Sequence, residues 1–143
     1  MVEKLSKLEQ LQQISKLESE LFGEHCYTYE QLLNMYNDQN YQYYVFLKEE
    51  TVLGYLILLD TIDEYEIIKI GVAKNTQGMG IGSQLMALAK SLDKPLLLEV
   101  SSLNTNAIGF YEYHGFKLIF VRKKYYSDGS DGLIYKYDEK GTN

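Results

Sequence analysis

The chain has 143 residues, 45% of them hydrophobic and 24% charged. That is enough for one well-buried core and too little for two ordinary domains, so one domain over 1–143 is expected. A net charge of −6 from interspersed acidic residues argues against nucleic acid as a partner, and the longest apolar run, "YLILL" at 55–59, is too short to span a membrane.

The amino-terminal "MVEKLSKLEQ" is charged and helical rather than signal-like, which points to a cytoplasmic protein. Leu5, Leu8, Leu11, Ile14, Leu17 and Leu21 follow a helical period, so a helix is expected from Leu5. "TYEQLLNMY" reads as a second helix, with Thr28 and Gln31 at capping-box spacing. Cys26, the only cysteine, allows no internal disulfide, and no cysteine–histidine cluster has zinc spacing, so no metal is expected. Strand candidates follow at 41–48, 51–59 and 65–73, joined by short polar turns as in an antiparallel meander. Gly71, inside the third, suggests a bulge.

"NTQGMGIGSQL", 75–85, places three glycines between a strand and a helix with Ile81, Leu85, Leu88, Ala89 and Leu92 on one face. The chain's one proline, Pro95, follows that helix. "LLLEV" at 96–100 reads as a buried strand, Asn104 as the cap of a helix bearing Ala107, Ile108 and Tyr111, and Gly115 as its end. Strands at 116–124 and 132–138 flank "YYSDGSDG". The order α-α-β-β-β-α-β-α-β-β gives an α/β fold, a mixed, mostly antiparallel sheet with helices on both faces.

A glycine loop at a helix start suits an anion, because the first N–H groups have no intrahelical acceptor. A Walker loop requires a lysine that is missing here. A dinucleotide fingerprint requires a third glycine, where Ser83 stands, inside a parallel βαβ unit. Gln77, Gly80 and Gly82 instead fit QxxGxG, which resembles motif A of the GNAT acetyltransferase superfamily. A plain glycine-rich turn is the alternative on the loop alone. "LEVSSLNTNAIGFYEYHGF", 98–116, is also similar to the LEVxxxNxxAIxxYExxGF pattern of that superfamily's RimI group, the ribosomal-protein alanine N-acetyltransferases. Leu98, Glu99, Val100, Asn104, Ala107, Ile108, Tyr111, Glu112, Gly115 and Phe116 match in register, and the double tyrosine Tyr125–Tyr126 resembles that group's own. The resemblance covers about 41–137. Three departures stand out: Ser101 in place of an arginine, a short final loop, and a first strand that is missing or reduced.

The resemblance implies a GNAT fold, monomeric or weakly dimeric, that uses acetyl-CoA. Its pyrophosphate would lie against Gln77, Gly78, Met79, Gly80, Ile81, Gly82 and Ser83. Pantetheine would fill a gap between splayed strands around 66–73 and 96–101, touching Ile70, Val72, Asn104, Ala107 and Tyr111. It further implies direct transfer in a ternary complex, Tyr111 reprotonating the CoA sulfur, Glu99 as the base, and a protein N-terminal amine, such as that of a ribosomal protein, as acceptor beside Tyr125 and Tyr126. On the residues alone, desolvation in an apolar strand would raise the Glu99 pKa toward neutrality, whereas an edge carboxylate facing solvent is the plainer reading. Tyr111 fits core packing equally well, and Asn104 explains itself as a cap. Cys26 reads as packing and His114 as favourable to a helix dipole. Two rival functions remain: a small-molecule, polyamine-type amine acetyltransferase and a non-catalytic acyl-CoA sensor.

Overall fold

The computed structural model describes residues 1–139, and its first element differs from the expected helix. Val2–Lys4 form a short strand, β1, antiparallel to Phe46–Tyr44, and the Leu5 N–H donates to the Tyr43 carbonyl. Leu5 is therefore buried from a strand exit, and Leu8 is 54% exposed. Helix α1 (Leu8–Phe22) begins only where the Gln10 side-chain carbonyl accepts from the Ser6 and Lys7 N–H groups. The first strand is reduced rather than missing: long-range pairing outweighs a local period that Leu5 and Leu8 merely happen to fit.

A 3₁₀ turn at Gly23–His25 leads to α2 (Tyr29–Tyr36), closed by the expected reciprocal bonds between Thr28 and Gln31. Then come β2 (Tyr41–Lys48), β3 (Thr51–Asp60), β4 (Tyr65–Val72), α3 (Ile81–Lys90), β5 (Leu96–Ser101), α4 (Thr105–Tyr113), β6 (Lys117–Arg122) and β7 (Gly132–Tyr137). The seven strands form one sheet in the order β1-β2-β3-β4-β5-β7-β6, antiparallel except for β4 and β5. Helices cover both faces. Leu11, Ile14 and Leu32 pack with Tyr43, Val45, Tyr55 and Ile57 on one, while Ile81, Leu85, Met86, Ala89 and Tyr111 pack with Leu56, Leu58, Leu98 and Val100 on the other.

The bulge expected at Gly71 lies elsewhere. Register moves between Ile57↔Lys69 and Leu58↔Ile67, which puts the extra residue at Ile68, while Gly71 pairs normally with Tyr55. Its glycine answers to space instead, since a Cβ there would stand 2.6 Å from the Tyr55 ring. Between β4 and β5 only Tyr65↔Leu96 and Glu66↔Leu97 pair. Beyond those two pairs the strands part, and the seam opens toward the start of α3.

Candidate active site

The seam ends at the glycine loop. Gly78 and Gly80 take φ of +89° and +84°, left-handed values that favour glycine, and Gly80 is the N-cap of α3 with no side chain bonded to the helix end. The first-turn N–H groups of Ile81, Gly82 and Ser83 thus meet the requirement for an anion. Gln77, Gly78, Met79, Gly80 and Ser83 are exposed, and the Gln77 amide donates to the Val72 carbonyl at 3.0 Å, tying the loop to the end of β4. Ile70 and Val72 flank the opening on the α3 side of the sheet. Gly82 lets α4 close in, because a Cβ there would touch the Phe110 ring at 3.3 Å.

Asn104 caps α4 by accepting from the Ala107 N–H at 3.2 Å, and this orients Ala107, Ile108 and Tyr111 toward the seam core. Tyr111 is 9% exposed, and burial pushes its phenol up to about 12, so it keeps its proton throughout the neutral range. His114 departs from expectation. Its ring lies 3.2 Å from Ser83 Oγ and against Phe110, and burial, then the nearby Lys90, lowers its pKa. That favours the neutral imidazole and removes the argument from the helix dipole.

Alternation along β5 sends Leu96, Leu98 and Val100 into the α3/α4 core and turns Leu97, Glu99 and Ser101 to the opposite face. Glu99 and Tyr111 therefore approach the seam from opposite sides. The Glu99 side chain is 20% exposed; Arg122 Nε lies 3.3 Å from its Oε2 without hydrogen-bond alignment, and this buried oxygen accepts no hydrogen bond. Tyr125 and Tyr126 lie in the β6–β7 connection with their rings edge to face at 5.1 Å. Burial, then Glu99, raises the Tyr126 pKa, which brings its hydroxyl into the field of that carboxylate. The connection is fixed to β5 by Ser101 Oγ against Ser130 Oγ at 2.8 Å and by the Asp131 N–H donating to Ser102 Oγ.

Glu66, not singled out from sequence, lies on the same face as Glu99. It stands opposite Leu97 on the Glu99 face, and burial, then Glu99 and Glu64, raises its pKa while Arg122 opposes. A carboxyl that resists ionising beside a second carboxyl is a feature of proton-handling sites. The signal is a glutamate in a strand rich in isoleucine, but its partner is visible only in the register. His25 and Cys26 follow the α1 end, and the Asp128 pKa is lowered first by its hydrogen bonds from Ser130 and only last by the charge of His25. Among the described residues no group of histidine, cysteine and carboxylate side chains could hold a metal ion, and no helix is long and apolar enough to cross a membrane.

Comparison with known proteins bears on this arrangement. A Bacillus subtilis (strain 168) protein provisionally named ribosomal protein bS18 alanine N-acetyltransferase is 33% identical over 98 residues; the match covers 64% of this chain and 65% of that protein's length. The crystal structure of the ribosomal-protein-S18-alanine N-acetyltransferase from Escherichia coli superposes with a TM-score of 0.80 at 20% identity, covering 100% of this chain and 99% of that one. NAA60 from Arabidopsis thaliana, in complex with acetyl-CoA, gives 0.81 at 15% identity, with 99% of each chain covered. At such identities the two structures establish the fold. The profile of one family, described as the acetyltransferase (GNAT) family, matches residues 8–116, from the start of α1 through the glycine loop and α4. With the parted β4–β5 seam, the uncapped α3 terminus and that match in agreement, the chain belongs to the GNAT acetyltransferase family.

Proposed function

We propose that this protein transfers the acetyl group of acetyl-CoA to a primary amine by direct transfer with both substrates bound, and that the acceptor is the α-amine of a protein N-terminus. The observation that carries this reading is the seam itself: two strands part after two residue pairs beside an uncapped helix start, with Tyr111 on one face and Glu99 on the other. Family membership and the acetyl-CoA held by the Arabidopsis protein support the donor. The names of the Bacillus and Escherichia proteins support an N-terminal acceptor of the ribosomal-protein kind.

Bound acetyl-CoA supplies an activated thioester. The N–H groups from Gly78 to Ser83 hold its pyrophosphate, with Gln77 alongside, and Ile70, Val72, Asn104 and Ala107 line the path of the rest. Glu99 takes the proton of the acceptor ammonium, directly or through water, so that the neutral nitrogen bonds to the thioester carbon; as the C–S bond breaks, the extra proton on that nitrogen passes to the departing sulfur, directly or through water, leaving a neutral amide and the CoA thiol. Tyr111 donates a hydrogen bond to the departing sulfur. With its phenol at about 12 against a thiol reference of about 8.5, full transfer of that proton is uphill, and the hydrogen bond itself is the stabilising interaction. Tyr125 and Tyr126 bound the entry of the acceptor chain.

Proton chemistry favours the α-amine over lysine. Reference pKa values of about 7.8 and about 10.4 make the neutral fractions at pH 7 differ by roughly 300-fold. The competing acceptor is a polyamine, favoured by one observation: Glu64, Glu66 and Glu99 interact on one side of the sheet, which suits a polycation. Two otherwise identical peptides separate the readings, one with a free N-terminus and blocked lysine, the other the reverse, with spermidine as a third substrate. Fastest acetylation of the free N-terminus is expected. Faster acetylation of the lysine peptide, or of spermidine, would overturn the α-amine assignment.

A further inference from the structure

Arg122 and Glu99 form an ion pair although their strands are not neighbours, since β7 runs between β6 and β5. Register sets Arg122 opposite Gly132, and Gly132 opposite Ser101, two residues along β5 from Glu99. Two strand spacings, about 10 Å, separate β6 from β5, so an arginine crosses above the middle strand only where that strand presents little bulk. Gly132 presents none. A Cβ built on it would run into Glu99 Oε2 and come within 3.1 Å of Tyr125 Cδ2. Gly132 is not among the glycines with positive φ, so conformation does not explain it and space does.

We infer that Gly132 is a window through which Arg122 on β6 positions the Glu99 carboxylate on β5, making Gly132 and Arg122 positioning residues for the reaction. This rests on Glu99 acting as the base proposed above. The guanidinium carbon of Arg122 lies 5.1 Å from the centre of the Tyr125 ring, so the arginine is held from above by that face while it faces the carboxylate. Its Nε sits 3.3 Å from Oε2 without the alignment of a hydrogen bond. The cation thus fixes the carboxylate by charge and leaves the oxygen's lone pairs for an ammonium or a bridging water. A side chain at position 132 would displace Glu99 from that place while the strand, already extended, accommodates it.

Gly132→Ala, Arg122→Ala, Arg122→Lys and Gly132→Ala/Arg122→Ala test this in two ways. The first is turnover with the free-N-terminus peptide; the second is the chemical shift of the Glu99 carboxyl carbon by NMR at one fixed pH, which needs no activity. Gly132→Ala should keep acetyl-CoA binding and lose about 10²-fold in kcat, as expected for a reacting group displaced by about an ångström. In both alanine variants the Glu99 carboxyl resonance should move from its position in the unaltered protein, because the cation no longer faces it. The double variant should be no worse than Gly132→Ala, and Arg122→Lys should return the resonance part of the way. A Gly132→Ala protein with unchanged kcat and an unmoved Glu99 resonance would overturn the inference, as would an unmoved resonance in Arg122→Ala. Failure of the underlying reading looks different: Glu99→Gln would then turn over normally, whatever the resonances show.

Discussion

Two carboxylates lie deep in this sheet, and their surroundings could hardly differ more. Glu18 on α1 is fully buried; one oxygen accepts from the Tyr55 hydroxyl at 2.5 Å, the other from the Tyr27 N–H at 2.9 Å, and Lys69 pairs with it at 3.4 Å while resting on the Phe22 ring. Glu99 has a single cation beside it and one buried oxygen that accepts nothing. A buried carboxylate with both oxygens engaged fastens elements together, here α1, the segment after it, β3 and β4. One left partly unengaged carries a desolvation cost that a ligand can relieve. The contrast gives the first a structural role and fits the chemistry proposed for the second, and each residue has its own glycine: Gly71 beneath Tyr55, Gly132 beneath Glu99.

The largest expected effect falls on the Glu18 side. Glu18→Ala strands the Lys69 charge and the Tyr55 hydroxyl in the core and should cost about 3–5 kcal/mol in denaturant unfolding. A loss within error of zero would break the contrast. Tyr111→Phe comes next, with a turnover loss of about 10²-fold, the low end for acid–base groups, since its phenol at about 12 donates a hydrogen bond more readily than a proton. The rate profile of the unaltered protein should show no basic limb from this phenol below pH ~10. Gly71→Ala should follow, costing about 1–3 kcal/mol in stability by pushing the Tyr55 ring off Glu18, whereas Gly132→Ala should cost turnover and little stability. The smallest effect concerns Glu66, whose pKa burial raises in the folded state. A raised carboxyl pKa means that the folded protein binds the proton more tightly, so ionisation costs stability above the folded pKa and nothing below the unfolded value of about 4.3. Glu66→Gln should therefore melt higher than the unaltered protein at pH 7–8, with the difference closing toward pH 4.

Much of this was legible in the sequence because it is local. The Thr28–Gln31 box, the Asn104 cap and the glycine loop before α3 each carry their reason within a few residues, and all three stand as expected. Strand β1 was hidden because its pairing with Phe46–Tyr44 is long-range while Leu5 and Leu8 imitate a helical stripe. Gly71 reads as a bulge and Gly132 as the end of the "YYSDGSDG" connection, since a glycine that makes room for a distant side chain looks like one that serves a turn. Glu66 and Arg122 join Glu99 only through the order β4-β5-β7-β6, which no local pattern encodes.

The account stands most directly on Glu99→Gln, measured for kcat with a free-N-terminus peptide, for acetyl-CoA binding by calorimetry and for melting temperature. Glutamine keeps the shape and removes the base. The account predicts turnover lower by about 10² to 10⁴-fold, with acetyl-CoA affinity and melting temperature close to those of the unaltered protein. Unchanged turnover, or a loss of folding stability comparable to that of Glu18→Ala, would contradict it.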